Sequence, residues 1–190
     1  LLKTGTCKNG MNFHSNESGV TIHCLGVGDF KDLSVIDSIQ NLSTISLNEM
    51  PPKDYLLQDE DIVFVRSNGN KALVGRCLAI YPGNTPTTYS GFCIRYRKNI
   101  DTILVEYLLQ VFKTPTIHKQ MSGRGVNIQN LNQQILSQIR IPMPPLELQK
   151  DFTRFIQQVD NSKLILQQSL EELELNYKSL MQKCFRGDLF

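Results

Sequence analysis

The chain is predicted to be α+β, with a globular mixed domain followed by one long C-terminal helix, and three observations carry that prediction. Eleven of the twelve glycines lie at or before Gly125, and all eight prolines lie at or before Pro145. The first three quarters is therefore rich in turn signals. From Leu146 no proline follows and no glycine until Gly187, a stretch of about forty residues with nothing to break a helix. Across the same boundary the apolar period changes from that of strands to that of helices. With 190 residues, 41% of them hydrophobic and 20% charged, there is enough chain for a core without covalent staples.

The elements follow in order. VTIHCL (Val20–Leu25) is apolar and β-branched and suits a strand. DIVFVRS (Asp61–Ser67) and LVGRCLAI (Leu73–Ile80), separated by NGNKA, predict a hairpin with Asn68-Gly69 in its turn. GFCIRYR (Gly91–Arg97) alternates Phe92, Ile94 and Tyr96 with Cys93, Arg95 and Arg97, which predicts a strand with one apolar and one partly cationic face. DTILVEYLLQVF (Asp101–Phe112) reads as a buried helix, capped by Asp101, with Pro115 beyond its end. NLNQQILSQ (Asn130–Gln138) reads as a short helix. IRIPMPP then runs extended, since each proline disfavours helix in the residue before it. The organisation expected is a globular domain over 1–140, a proline-rich joint over 141–146, one helix over 147–187 and a tail over 188–190.

Along the predicted helix Phe152, Val159, Leu166, Leu173 and Leu180 recur every seven residues. Leu148 and Phe155 accompany them before the middle, and Leu170, Tyr177 and Cys184 after it. The halves of this second series are out of step by one residue around Ser162 and Lys163, which predicts a coiled-coil seam with a phase slip. A rod of roughly 60 Å is longer than a domain of this size is wide, about 30–40 Å. Part of the stripe is therefore expected to meet a helix from a second copy or a partner.

Five cysteines without a C-x-x-C pair point to reduced, mostly buried thiols. The Cys7, His14, His23, Cys24 group matches no zinc spacing, and no metal site is expected. No charged-then-apolar leader and no apolar run near the ~18 residues of a membrane span occurs. A soluble, cytoplasmic protein is the expectation.

Charge is unevenly spread. Residues 1–61 balance at −5, residues 62–144 at +8 and residues 145–190 at −1. A one-signed middle suggests a polyanion surface. Catalytic signatures are missing: GVGDF is too short for a cofactor loop, MPPK and MPPL lack the acidic or amide residue of an amino-methylating tetrapeptide, and there is no phosphate-binding G-x-x-x-x-G-K-[ST]. Asp59-Glu60-Asp61 reads as a solvated turn. No catalytic residue is assigned. Cationic and amide side chains do gather on predicted loops: Arg66, Asn68, Asn70, Lys71 and Arg76; then Arg95, Arg97 and Lys98; then Lys113, His118, Lys119, Arg124 and Asn127. Arginine and asparagine can read guanine and adenine edges bidentately, and lysine holds phosphates.

At the joint the chain resembles the specificity subunit of type I restriction-modification systems. Ile141, Pro142, Pro144, Pro145, Leu146 and Gln149 match the family's I-P-x-P-P-L-x-x-Q segment. Lys178, Ser179, Leu180, Gln182, Phe185, Gly187 and Leu189 match its closing K-S-L-x-Q-x-x-F-x-G-x-L segment. Leu148 departs, standing where the family usually carries Glu. The likeness is strong over 138–190 and weaker over the preceding target recognition domain, which varies because it reads sequence. It covers one recognition domain and one helix of the usual two, so the chain resembles a half-subunit. The resemblance implies a non-catalytic DNA reader forming a homodimer through antiparallel helices, with Leu148, Phe152, Phe155, Val159, Leu166, Leu170, Leu173, Tyr177, Leu180 and Cys184 at the dimer seam. It further implies double-stranded DNA and the methylating and restriction subunits as partners. S-adenosylmethionine and ATP with magnesium belong to those partner subunits, and no cofactor is expected in this chain. The alternatives are a coiled-coil interaction adaptor without DNA specificity and the specificity subunit of a related restriction system outside type I.

Overall fold

The computed structural model describes residues 4–13, 19–30, 34–122 and 130–187. It divides into two compact units, Leu1–Leu146 and Glu147–Phe190. The first unit is built on a five-stranded sheet: β1 (Gly5–Asn9), β8 (Cys93–Lys98), β5 (Asp61–Val65), β6 (Cys77–Ile80) and β3 (Val35–Ile36), in that spatial order. All pairings are antiparallel except β3 with β6. A second sheet has the order β4 (Thr44–Leu47), β2 (Val20–Leu25), β7 (Thr87–Tyr89).

The central strand β5 is buried on both faces, as its unbroken apolar run requires. Ile62 and Phe64 face a core completed by Ile94, Tyr96 and the helices α1 (Val105–Phe112), α2 (Pro115–Ser122) and α3 (Gln133–Gln138). Val63 and Val65 face a second core with Leu25, Phe30, Leu42 and Tyr89. The first core holds an edge-on aromatic stack, Phe64 against Phe112 at 5.0 Å.

Several expectations are corrected. The β5–β6 pair is antiparallel, with Phe64 opposite Cys77, but Lys71–Leu73 forms a 3-10 turn rather than the start of β6. The connection closes at Val65, whose N–H donates to the Arg76 carbonyl at 2.9 Å and whose carbonyl accepts from Gly75 at 2.9 Å. The left-handed position in this connection is Gly75, at φ 87°, rather than Gly69. Phe92 lies before β8 and is 59% exposed instead of lining the core. Both faces of β8 are buried, so the cationic face is not a surface. Helix α1 begins after Leu104 without a side-chain cap, because Ile103 is spent as a buried plug in the first core; Asp101 caps nothing. Pro115 lies beyond the end of α1, as expected, and it also opens α2, a position where its missing N–H costs nothing. The short helix is as expected, with Asn132 Oδ1 accepting from Ile135 N at 2.9 Å.

The proline-rich stretch is extended and held to the first unit by side chains. Gln120 clamps Arg140 reciprocally, its Oε1 accepting from the Arg140 N–H at 2.8 Å and its Nε2 donating to the Arg140 carbonyl at 3.3 Å. Tyr107 donates its hydroxyl to the Pro142 carbonyl at 3.2 Å. These side chains anchor a segment that lacks three backbone donors.

The second unit is α4 (Leu146–Arg186), 41 residues without interruption. Gly187, at φ 77°, ends it, donating to the Cys184 carbonyl at 3.2 Å. Exposed ion pairs Glu147–Lys150, Asp151–Arg154 and Asp160–Lys163 run along it and, being solvent-screened, add little to its stability. The mid-helix slip leaves the backbone helical throughout.

Candidate nucleic-acid interface

Antiparallel pairing sorts the cationic residues between two ends of the main sheet, about 13 Å apart along β5. At one end lie the carboxyl end of β5 and the starts of β6 and β8. Here the eleven-residue connection after Val65 carries Arg66, Lys71 and Arg76 and no acidic residue. Its shape is set by its amides. Asn68 Oδ1 accepts from Asn70 N at 2.7 Å, and Asn70 Oδ1 accepts from Ala72 N at 3.1 Å. Each of these oxygens has a second lone pair. Asn70, Lys71 and Arg76 are exposed and Asn68 is half-buried.

Arg66 is the knot of this end. Its N–H donates to the Phe92 carbonyl at 2.8 Å, and its own carbonyl accepts from Leu131 N at 2.8 Å. Its Nη1 donates to the Gly91 carbonyl at 3.2 Å, while its Nε is buried without a partner. Three segments distant in sequence meet there. Lys113 joins this end through Ser34, to whose hydroxyl it donates just before β3.

The remaining candidates go elsewhere. Arg97 sits at the opposite end and forks onto the buried carboxylate of Asp61, Nε to Oδ1 at 2.7 Å and Nη2 to Oδ2 at 2.6 Å, with a further bond to the Leu56 carbonyl at 3.0 Å. Lys98 pairs with Glu60 at 2.8 Å at that same end. Arg95 is only 5% exposed in mid-strand, its Nη1 donating to the Asp54 carbonyl at 3.3 Å. Arg97 and Lys98 are engaged by carboxylates and Arg95 is buried, so none of the three is presented at the loop end. His118 and Lys119 are exposed on α2. Arg124 and Asn127 lie outside the described residues. Phe92, which the sequence reading assigned to the core, belongs to the loop end; its place after Ser90-Gly91 was the available signal of a turn.

Burial holds four thiols protonated: Cys24, Cys77 and Cys93 are each pushed up to about 12, and Cys7 to about 11. Thiols held in the neutral form are poor nucleophiles at neutral pH. Among the described residues no cluster of three or more metal-ligating side chains occurs, and no helix is long and apolar enough to cross a membrane.

The chain thus holds a doubly covered sheet with a cationic, amide-rich loop at one end, followed in sequence by a long helix. The family described as "Type I restriction modification DNA specificity domain" matches residues 38–175, and the chain belongs to that family. Among its relatives is a putative type I restriction enzyme MjaX specificity subunit from Methanocaldococcus jannaschii, 33% identical over 72% of this chain and 32% of the relative. The StySPI specificity subunit of Salmonella potsdam is 28% identical over 95% of this chain and 40% of the relative. In fold, the chain is similar to a chain in a study of assembly and conformational transition of the type I R-M system, with TM-score 0.68, 18% identity, and coverage of 95% and 42%. It is also similar to the HsdS subunit from Thermoanaerobacter tengcongensis, with TM-score 0.60, 17% identity, and coverage of 88% and 38%. The chain thus spans about a third to two fifths of the length of these relatives.

Proposed function

We propose that the chain is a non-catalytic, sequence-specific reader of double-stranded DNA in a type I restriction-modification complex. On this reading the globular unit contacts half of an interrupted target and α4 joins it to a second copy. The methylating and restriction subunits dock on the assembly and bring S-adenosylmethionine, ATP and magnesium with them. The observation that carries the reading is the cationic loop 66–76 at one sheet end, in a chain of the DNA specificity family. A loop on a rigid sheet is suited to entering a major groove, where Arg and Asn reach base edges and Lys reaches phosphate.

The test is selection from a pool of random duplexes at low salt, with and without a cognate methylating subunit. An enriched, inverted and interrupted motif is expected. Against that duplex, Lys71→Ala should reduce the slope of log affinity on log salt by about 1 for its lost phosphate contact, and Arg76→Ala should relax the base preference at one position of the motif. An unchanged slope moves the interface off this loop. No enrichment in either arm favours an interaction adaptor.

A further inference from the structure

We propose that Phe92 is the apolar base contact of this interface, its ring packing on the 5-methyl group of a thymine in the major groove. This rests on the reading above, that loop 66–76 enters that groove, and adds to it a residue and the base feature that residue takes. The Phe92 side chain is 59% exposed and belongs to neither core.

Single exposed phenylalanines are ordinary on protein surfaces. This one differs in how firmly its turn is held. Cys93 N donates to the Ser90 carbonyl at 2.8 Å and closes a turn over 90–93, inside which the Phe92 N–H donates to Ser90 Oγ at 3.3 Å. The recognition loop grips one side. The Phe92 carbonyl accepts from Arg66 N at 2.8 Å and from Ser67 N at 3.3 Å, and the Gly91 carbonyl accepts from Arg66 Nη1 at 3.2 Å. The segment after β1 braces the other side. Gly10 N donates to the Cys93 carbonyl at 3.1 Å, and Met11 N to the Tyr89 carbonyl at 3.1 Å. Only glycine fits at position 10, since a Cβ there would run into the Ser90 carbonyl. A large ring is thus displayed on a backbone fixed from both sides. Ordered before contact, it loses little freedom on binding.

The surroundings select the ligand. Residues 9–13, 66–76 and 90–93 together carry Arg66, Lys71 and Arg76 and no acidic side chain. Such a rim suits a polyanion. Within the major groove the base edges present donors and acceptors and one apolar group, the thymine methyl. A ring that enters beside the loop sheds its water against that group. The hydrogen bonds from Arg66 and Ser67 keep it in the same groove as the loop.

The experiment uses the full chain, the methylating subunit in every arm, and the duplex recovered by selection. Deoxyuridine replaces thymidine one position at a time, which deletes only the methyl, and affinity is read by fluorescence anisotropy. The parent should lose about fourfold at one thymine of a half-site, the contribution of one buried methyl. Phe92→Ala should be indifferent to that same replacement. Having no core contact, it should also melt with the parent. A parent that binds its duplex specifically yet ignores every replacement overturns the contact and leaves the reader standing. A Phe92→Ala chain that still prefers thymidine does the same. If the parent ignores every replacement and Phe92→Ala fails to retain the methylating subunit, the ring belongs to that subunit and the proposal falls. No enriched duplex at all overturns the contact together with the reading beneath it.

Discussion

At the scale of single residues, Arg97 and Lys71 are both cations in the same basic stretch, and the structure gives them opposite employment. Arg97 neutralises Asp61, whose side chain is fully buried. Arg97→Ala leaves that carboxylate without its partner and should cost about 3–5 kcal/mol in denaturant melts. Lys71→Ala, on an exposed turn, should leave stability within about 0.5 kcal/mol. A loss of DNA binding in Arg97→Ala is therefore expected to track unfolding rather than recognition. The thiols give a second prediction. A thiol whose pKa is raised by folding stabilises the native state at every pH below its unfolded value of about 9. That contribution is lost as pH climbs from there towards 12. Melting should thus be flat between pH 7 and 8.5 on this account and decline above 9. At pH 8 a thiol reagent should label Cys24, Cys77 and Cys93 only on unfolding.

At the scale of elements, legibility followed length. The long helix, its stop at Gly187, and β2, β5 and α3 could be read because periodicity, a glycine in the left-handed region and an asparagine cap are local signals. The strands β1, β3, β4 and β7 were invisible: GTCKN and VI carry no alternation and exist because β8 and β6 offer them a partner. Helix α2 is less legible because Pro115, which lies past the end of α1, also opens a second helix, with the Thr114 carbonyl accepting from His118 N at 3.0 Å. The candidate site divided the same way. The loop from Arg66 to Arg76 is contiguous and could be found by composition, whereas the fate of Arg95, Arg97 and Lys98 depends on partners 36 to 41 residues away. On α4, Leu166→Asp with Leu173→Asp should halve the mass in solution, since two charges would enter apolar layers; an unchanged mass would leave the stripe without this role.

At the scale of the whole molecule, the two compact units divide the labour: the core lies in the first, and the second exposes most of its apolar side chains. An 18% identical fold neighbour with TM-score 0.68 fits that division, since architecture persists where side chains have diverged. The closure at Val65 has an evolutionary meaning. Two hydrogen bonds, to Gly75 and Arg76, seal the neck of the loop before any of its residues takes part. The residues between Arg66 and Leu73 form a cassette, and changing its length is thermodynamically mild because closure cost grows only logarithmically. A foreign segment grafted between Arg66 and Leu73, sparing the Arg66 contacts and the buried Val74, should melt close to the parent while recovering a different motif from the same random pool. New target preference would then arise by exchange of a short piece of chain, with the scaffold inherited unchanged.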